Sequence, residues 1–435
     1  MKKRVLLAVS LLAVLMLLSG CMLMSGSSLE SMFGTRNTAE QEQPEAVQPA
    51  AAQPEAVQPA AAGSDTVTIS KAEYERLMRF ADAADLYDMV DYYFYKEPDY
   101  DRMIEGACRG VLAGTGDPYT YYYNAEEFEE MWEEDEGNYV GIGVLISANA
   151  KTQICTISRV FKGSPAEEAG VQRGDILYRV GEDLYVYADN LTEAVNIMRG
   201  EPGTSVDVTF YRGDEEITFN IMRREISVNQ IESKMLDDEV GYIAMYQFAG
   251  EAEKEFEAAL KDLVAQQAKS LIIDLRDNPG GWVEQAQYIG DLFMDAGELC
   301  YLRYRDGSED HVSYPTYDGK TDIPLTILLN ENTASSSEIL TAALRDCADA
   351  TGVGVKSFGK GIIQGVYPIG TDGAGFQMTI AEYFSPKGNK VHELGIEPDV
   401  TVELPEGDNG AYDFADLEKD IQLQKAYEVA REKLK

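Results

Sequence analysis

The sequence predicts a mixed α/β protein of several domains, in which a small β-rich domain precedes an α/β core and helical segments lie at both ends of the folded part. A length of 435 residues allows two or three domains. Short strand patterns alternate with glycine turns over residues 138–224. Apolar strands alternate with amphipathic helices over residues 225–403, and helical periodicity prevails over residues 67–137 and 404–435.

The charge balance and the cysteine pattern limit the classes of partner and cofactor. The chain carries 76 acidic and 37 basic residues, a net charge of -39, which argues against a nucleic-acid partner. The cysteines show no metal-ligand spacing, so we expect neither a metal nor another cofactor. Four of them are expected to be small buried apolar side chains: Cys108, Cys155, Cys300 and Cys347.

Residues 1–20 have the pattern of a bacterial lipoprotein signal peptide. Three basic residues precede an apolar run from Val5 to Leu18, which is shorter than the about 20 residues that a membrane span needs. The run is followed by "SGC", which resembles a lipobox and implies that Cys21 carries a diacylglycerol. An uncleaved anchor or an ordinary secretory signal is the alternative. In each case the body of the protein is expected outside the cytoplasmic membrane.

Two segments precede the β-rich domain. Residues 21–66 contain the tandem repeat "QPEAVQPAAA" from Gln43 to Ala62, a composition that cannot build a core and predicts an extended, semi-rigid tether. The helical segment then begins at Ser70, which with Glu73 has capping-box spacing. The turn motif "GTGDPYTYYY" interrupts these helices, and we interpret its tyrosines as packing residues rather than a binding site.

The β-rich segment, residues 138–224, contains an ordered set of glycine motifs. "YVGIGVLI" leads into a strand, "GSPAEEAGVQRGD" follows, then the helix "NLTEAVNIM" and a hairpin with a "GD" turn. The full set resembles a PDZ domain, a small β-sandwich or barrel, in its bacterial protease form. The resemblance implies that Gly141, Ile142 and Gly143 bind a peptide carboxylate through backbone N–H groups, while a strand edge pairs with the peptide.

In the core, residues 225–403, strand–turn–helix units follow one another. "SLIIDL" runs into "RDNPGG" and then a predicted helix from Trp282 to Phe293. "PLTILL" runs into "NENTASSSEI" and a predicted helix from Ser336 to Cys347. Such continuous apolar strands are typical of a buried parallel sheet. The loops of these units are therefore expected to meet at one edge of the sheet.

Three consecutive serines lie at the second of these strand-to-helix turns. A helix N-terminus favours developing negative charge, which suits a nucleophile. The same stretch also fits a capping box in which Ser335 is the N-cap and Glu338 its partner. The motif alone leaves both interpretations open.

A lysine is the candidate base. Lys360 lies between two glycines in "FGKGIIQ", at the predicted end of a short strand. A buried lysine can lose its proton near neutral pH, and Ser–Lys pairs are a known variant of the catalytic triad. His311 and His392 lack a nucleophile-type context, although spacing alone does not exclude a histidine base.

The order of these motifs, continued by "GIEPDV", is similar to that of carboxyl-terminal processing proteases, the tail-specific serine peptidases. The similarity covers about residues 70–430. It implies that Ser335 is the nucleophile, that Lys360, 25 residues further, is the base, and that Gln364 orients the lysine.

The same resemblance implies the oxyanion donors and a regulatory residue. The donors are the backbone N–H of Ser336 and that of Gly280 or Gly281, worth about 3 kcal/mol each in the transition state. Ser336 stands where the family usually has alanine; it serves equally well as a backbone donor, and the sequence leaves open whether its extra hydroxyl crowds or competes at the oxyanion site. Arg199, just after the PDZ helix, matches an arginine that gates the site in relatives; complementing the helix dipole is the alternative.

These observations predict a membrane-anchored, extracytoplasmic serine endopeptidase that acts on protein substrates with free, apolar C-termini. The family resemblance also suggests a homodimer formed through the helical ends. The alternative from another class is a catalytically inactive PDZ scaffold lipoprotein. A solute-binding lipoprotein is disfavoured by the PDZ segment and by the lack of two similar α/β lobes.

Overall fold

The computed structural model describes residues 22–23, 67–135, 138–149, 152–295, 297–314, 320–405, 410, 412 and 414–435. The described residues form two compact units, one within residues 67–115 and the other made of residues 22–23 together with the described part of 116–435. Cys21 and the tether repeats lie outside the described residues, so lipid attachment and the tether stay predictions. Within the described part, no helix combines the length and apolar character needed to cross a membrane.

The regular elements of the described residues are as follows. The strands are β1 Met22–Leu23, β2 Tyr121–Tyr123, β3 Asn138–Gly141, β4 Val144–Asn149, β5 Ile154–Val160, β6 Ile176–Val180, β7 Leu184–Tyr185, β8 Ser205–Arg212, β9 Glu215–Met222, β10 Arg224–Ser227, β11 Ile231–Met235, β12 Val240–Met245, β13 Ser270–Asp274, β14 Gly297–Tyr304, β15 Glu309–Tyr314, β16 Leu325–Leu329, β17 Thr351–Gly354, β18 Ile362–Pro368, β19 Gly375–Phe384 and β20 Val400–Thr401. The α-helices are Lys71–Leu77, Ala81–Tyr93, Tyr100–Ala113, Ala125–Asp135, Pro165–Ala169, Leu191–Met198, Ala252–Ala265, Val283–Asp291, Ser336–Cys347 and Ile421–Glu432, with 3-10 turns at Met78–Phe80 and Ala188–Asn190.

The N-terminal unit contains the α-helices Lys71–Leu77, Ala81–Tyr93 and Tyr100–Ala113, but the segment predicted to be helical, residues 67–137, also includes strand β2, Tyr121–Tyr123. Ser70 caps the first helix by accepting a hydrogen bond from the Glu73 N–H at 3.1 Å. None of the residues in the three α-helices of this unit is buried. Large apolar side chains such as Leu86, Met89 and Tyr92 are therefore left on the surface.

Most of the β-rich segment forms one antiparallel sheet in the order β4-β5-β6-β8-β9, with β7 paired to β6. Strand β3, which ends at Gly141, pairs instead with β10 in a separate two-stranded sheet. Ile157, Val208 and Phe210 lie fully buried between this sheet and its two short helices. The predicted hairpin turn at Gly213-Asp214 joins β8 to β9. Strand β4 is an end strand of this sheet, and it begins directly after Gly143.

The core is a six-stranded sheet in the order β11-β12-β13-β16-β17-β20, parallel except for β11. Successive residues of its central strands are buried on opposite faces. Ile243 packs with the helices that follow β12, β13 and β16, whereas the adjacent Tyr242 packs with the C-terminal helix Ile421–Glu432. Because β13 and β16 run parallel, the "RDNPGG" and "NENTASSSEI" turns leave the same edge of the sheet, as predicted.

A second sheet, not predicted from the sequence, faces this edge. It has the order β1-β18-β19-β14-β15, with β2 also paired to β19. The prediction that Lys360 ends a strand was wrong. Strand β17 ends at Gly354, and Lys360 lies in the loop that enters β18 at Ile362.

The expectation for the cysteines was half right. Cys155 and Cys300 are buried, Cys108 is partly buried and Cys347 is exposed. Cys347 is the last residue of its helix, and continuous burial in that helix ends one turn earlier, at Leu344.

Candidate active site

Ser335 lies at a sharp turn between β16 and the nucleophile helix, the name used below for Ser336–Cys347. Its side chain is fully buried. Its backbone has φ 60° and ψ −121°, a conformation that L-residues rarely adopt and that costs on the order of 1–3 kcal/mol. The Tyr383 hydroxyl donates to the Ser335 carbonyl oxygen at 3.2 Å. Such strain persists only where surrounding contacts impose it, and it is characteristic of functional turns.

Glu338 links this turn to the loop that carries Lys360. Its Oε2 accepts the N–H of Ser335 at 2.9 Å and the N–H of Lys360 at 2.9 Å. Its Oε1 accepts the hydroxyl of Ser357 at 2.6 Å and the N–H of Gly359 at 2.7 Å. Burial raises the pKa of Glu338, and these four hydrogen bonds act against that rise. A single buried carboxylate thus fixes the backbone of Ser335 and of Lys360 relative to each other.

Lys360 is buried, with 1% of its side chain exposed. Its two glycine neighbours explain how its loop packs so closely: a Cβ at Gly361 would lie 2.1 Å from the His392 backbone nitrogen, and Gly359 has φ +90°. Burial penalises the charged ammonium and favours the neutral amine. The Nζ atom lies 4.4 Å from the ring centroid of Tyr119.

Gln364 is fully buried on β18. Its Nε2 donates to Thr379 Oγ1 at 3.1 Å, while its Oε1 has no hydrogen-bond partner among the described residues. The Thr379 N–H donates to Thr120 Oγ1 at 3.0 Å, and that hydroxyl donates to Asp117 at 2.6 Å. The "GDPYT" turn is therefore tied to the strand pair that holds Gln364.

Gly280 and Gly281 bring the "NPGG" loop against the serine turn. A Cβ at Gly280 would lie 2.7 Å from the Cβ of Ser335 and 2.8 Å from the nitrogen of Ser336, and one at Gly281 would lie 2.0 Å from the Phe248 carbonyl oxygen. Only glycine fits either position. The Gly280 N–H already donates to the Asn278 side chain at 2.9 Å, which leaves Gly281 as the better oxyanion candidate of the pair.

The additional hydroxyl of Ser336 has a defined hydrogen bond. It donates to the Gly281 carbonyl oxygen at 2.7 Å. The N–H of the following residue, Trp282, donates to the Phe248 carbonyl oxygen at 2.9 Å. The carbonyl and the N–H of the Gly281–Trp282 peptide bond are therefore both hydrogen-bonded. The hydroxyl therefore joins the serine turn to the glycine loop instead of crowding it.

The predicted carboxylate loop, Gly141–Gly143, is buried. The Ile142 carbonyl accepts the Ala166 N–H at 2.8 Å and the Gly143 carbonyl accepts the Phe161 N–H at 3.0 Å. A Cβ at Gly143 would lie 2.3 Å from the Cβ of Ser164, which explains the glycine. The loop is thus rigidly mounted beside β4.

Arg199 is the C-cap residue of the helix Leu191–Met198, and its N–H donates to the Val195 carbonyl at 2.8 Å. The guanidinium of Arg223 reaches the end of the same helix and donates to the Ile197 carbonyl at 2.6 Å. Arg223 therefore supplies charge at this helix C-terminus, the alternative role considered for Arg199. Gating by Arg199 stays a prediction.

A different arginine, Arg159, joins the PDZ sheet to the core. Arg159 on β5 donates to the Asn229 carbonyl at 2.7 Å and to Glu232 at 3.2 Å. Its guanidinium carbon lies 3.4 Å from the ring centroid of Tyr246. Tyr246 follows β12, two residues before Phe248, whose backbone holds the glycine loop. The PDZ sheet is therefore in contact with the segment that supports the oxyanion glycines.

Two residues of the site carried a weaker signal in the sequence. Glu338 was recognised only as a local cap partner, because the motif does not reveal the donors from Ser357 to Lys360. Tyr119 was assigned to packing, and nothing in "GTGDPYTYYY" indicates contact with the lysine. Across the described ranges, no group of three or more His, Cys, Asp or Glu side chains is arranged to hold a metal ion.

A buried serine at a strained strand-to-helix turn, packed against a glycine loop and linked through Glu338 to the loop of a buried lysine, is an arrangement that suits a serine hydrolase. The model of peptidase family S41 matches residues 239–402, and that of the PDZ domain matches residues 156–212. The chain is 30% identical to a carboxy-terminal-processing protease of Bartonella bacilliformis over 85% of this chain and 92% of that protein. It is 33% identical to carboxy-terminal processing protease CtpA of Bacillus subtilis over 74% and 68%, and 35% identical to a carboxyl-terminal-processing protease of Synechocystis over 74% and 76%.

Solved structures share the fold. A photosystem II D1 C-terminal processing protease superposes with a TM-score of 0.53 at 24% identity, covering 77% of this chain and 94% of that one. An S41 protease from Bacteroides fragilis gives 0.55 at 17% identity, covering 78% and 92%. The chain therefore belongs to the carboxyl-terminal processing proteases of peptidase family S41. It is a serine peptidase with a PDZ domain, and its substrates are proteins.

Proposed function

We propose that this peptidase is a lipid-anchored, extracytoplasmic endopeptidase that recognises the C-terminal ends of proteins through its PDZ domain and cleaves them with a Ser335–Lys360 dyad. The observation that carries the proposal is the bridge through Glu338. One carboxylate oxygen accepts both the Ser335 N–H and the Lys360 N–H, each at 2.9 Å. This bridge fixes the backbone of the two residues relative to each other, and it supports the proposal that the buried Ser335 hydroxyl and the buried Lys360 amine act as a pair.

In the proposed reaction the neutral Lys360 amine accepts the proton of the Ser335 hydroxyl as Oγ attacks the scissile carbonyl carbon. The ammonium then gives this proton to the departing amine, leaving an acyl ester on Ser335. Water, deprotonated in turn by Lys360, hydrolyses the ester. Gln364 supports the lysine: with Nε2 held by Thr379, its Oε1 is left as an acceptor for an ammonium proton.

The tetrahedral intermediate carries its charge on the former carbonyl oxygen. We assign the donors to the backbone N–H groups of Ser336 and Gly281, because Gly280 already donates to Asn278. Donors fixed before the reaction lower the barrier by about 3 kcal/mol each. The Ser336 hydroxyl on the Gly281 carbonyl supports this role by holding the loop in place.

Recognition of chain ends is supported by the position of the carboxylate loop. Gly141–Gly143 leads directly into β4, an end strand of its sheet, so an extended peptide can add to β4 while its terminal carboxylate meets the loop. The names of the curated relatives, which refer to carboxy-terminal processing, favour the same substrate end. If Arg199 gates the site, the bound peptide would favour the active arrangement through its higher affinity for that state.

Location and assembly rest on other parts of the chain. A diacylglycerol on Cys21 supplies two acyl chains, enough for stable membrane attachment. The apolar side chains exposed on the helices of residues 67–115 support a homodimer formed through that segment. Cys21→Ala protein should accumulate unprocessed. Recovery of the wild-type protein entirely in detergent-free soluble fractions would contradict the anchor.

The experiment that tests the proposed function is cleavage of a disordered peptide with a free apolar C-terminus. Ser335→Ala and Lys360→Ala should each abolish cleavage, while Ser337→Ala, which removes a hydrogen bond to the Asn278 carbonyl, should keep most of it. Amidation of the peptide C-terminus should weaken binding if the PDZ loop reads the carboxylate. A wild-type protein that binds the peptide without cleaving it would favour the inactive scaffold instead.

A further inference from the structure

The side chain of Tyr119 covers the catalytic lysine. The Lys360 Nζ lies 4.4 Å from the centroid of the Tyr119 ring, within the range of a cation–π interaction. The two residues belong to different parts of the chain, and the lysine is 1% exposed. The lysine end of the contact is therefore buried, while Tyr119 itself is half-buried, and a desolvated ammonium is attracted to a ring face more strongly than an exposed one.

Tyr119 is held in this position by several contacts. Its N–H donates to the Asp117 carboxylate at 3.1 Å, and its carbonyl accepts from Gln377 Nε2 at 3.2 Å. Thr120, the next residue, accepts the Thr379 N–H at 3.0 Å, and β2 then pairs with β19. The backbone of Tyr119 and Thr120 is thus bonded to β19, the strand whose Thr379 also accepts a hydrogen bond from the Gln364 amide.

The tyrosine remains a neutral phenol. Burial raises the pKa of Tyr119, and the nearby carboxylates of Asp117 and Glu338 raise it further. A neutral phenol presents the electron-rich face of its ring without adding a negative charge beside the base. It therefore discriminates between the two forms of the lysine, since it attracts the ammonium and is nearly indifferent to the amine.

We infer that Tyr119 is a positioning residue for the peptidase reaction, and that its ring face stabilises the Lys360 ammonium as the lysine takes the proton of Ser335. The inference rests on the proposed Ser–Lys dyad. Burial disfavours the charged form of the lysine, and the ring offsets part of the cost of charging it when the proton arrives. An interaction that strengthens as charge develops lowers the barrier, whereas burial alone would raise it.

Other titratable groups lie on the elements that pack against the lysine loop and the serine turn. They are Glu338 of the nucleophile helix, Asp117 two residues before Tyr119, Tyr383 of β19, and His392, whose backbone packs against Gly361. A substitution at residue 119 leaves all of them in place. A change in the pH profile of such a variant can therefore be ascribed to the lost ring.

The test is the pH dependence of kcat/KM for wild type, Tyr119→Phe and Tyr119→Leu. Tyr119→Phe keeps the ring face and should stay within about threefold of wild type. Tyr119→Leu keeps the site apolar but loses the ring, and should lower kcat by about 3- to 30-fold. Because the ammonium is then less stable, the acid limb should move to lower pH by about 0.5–1.5 units.

The outcomes separate this inference from the proposed function. If Lys360→Ala is inactive but Tyr119→Leu matches wild type in rate and pH profile, the dyad stands and the inference on Tyr119 fails. An inactive Tyr119→Phe, or an acid limb that moves to higher pH in Tyr119→Leu, would overturn the ring-face role as well. Tyr121→Leu, an exposed tyrosine of the same segment, is the matched control, and Tyr119→Met replaces Tyr119→Leu if the latter lowers the unfolding temperature.

Discussion

Replacing Glu338 by glutamine tests the bridge between the serine turn and the lysine loop. The substitution keeps the size of the side chain but turns one acceptor oxygen into an NH2 group. Each of the two oxygens of Glu338 accepts two hydrogen bonds. In either orientation of the glutamine amide, its NH2 group therefore faces two donors. On the Oε1 side the Ser357 hydroxyl can turn and accept, but the Gly359 N–H cannot.

The expected cost follows from this count. One buried backbone N–H loses its acceptor, which costs about 1–3 kcal/mol. Burial raises the pKa of Glu338, which means that keeping the carboxylate charged inside the protein costs free energy. The neutral glutamine avoids this cost, which offsets part of the loss from the unpaired N–H. We therefore expect Glu338→Gln to lose about 1–2 kcal/mol in the free energy of unfolding. Because this site sets where Ser335 lies relative to Lys360, kcat should fall tenfold or more.

Urea denaturation followed by circular dichroism measures the first effect, and peptide cleavage measures the second. Glu331→Gln, an exposed carboxylate in the turn before the serines, is the matched control and should change neither. If Glu338→Gln keeps the wild-type unfolding free energy and the wild-type kcat, the carboxylate does not hold the site together.

Three further substitutions address the base, the glycine loop and the gate. Lys360→Arg should be as inactive as Lys360→Ala, because a guanidinium does not deprotonate near neutral pH; substantial turnover would mean that the base is another group. Ser336→Ala removes the hydrogen bond to the Gly281 carbonyl, a loss of about 1 kcal/mol, and should lower kcat about fivefold with KM little changed. An unchanged kcat would show that the glycine loop is held without this hydrogen bond. Arg199→Ala should lower peptidase activity tenfold or more with an unchanged unfolding temperature if Arg199 gates the site, and full activity in a well-folded protein would refute gating.

The local parts of the site could be predicted from the sequence because local chemistry determines them. The helix from Ser336 to Cys347 and the turn at Ser335 follow from an apolar strand, a serine cap and an amphipathic run. The glycines at positions 280 and 281 follow from a tight loop that approaches other backbone closely. The helix and its cap depend on residues a few positions apart, whereas the contacts of the two glycines with Ser335 and Phe248 come from distant segments and could not be read from the loop itself.

The parts that were missed depend on distant segments. The sheet that carries Gln364 pairs strands far apart in the chain, so neither its order nor its position over the catalytic edge is written in a local pattern. The donors that reach Glu338 from Gly359 and Lys360 come from 21 and 22 residues further on. Tyr119 meets Lys360 only because β2 joins β19, and a cluster of tyrosines alone is equally typical of packing.

The most direct test of the central claim is covalent labelling of the nucleophile. Incubation with a peptidyl fluorophosphonate that ends in an apolar residue, followed by mass spectrometry of tryptic fragments, identifies the serine that forms the adduct. We predict one adduct on Ser335, strongly reduced in Lys360→Ala and retained in Ser337→Ala. An adduct on another residue, or labelling of undiminished yield in Ser335→Ala, would contradict the assignment of Ser335 and Lys360 as the catalytic pair.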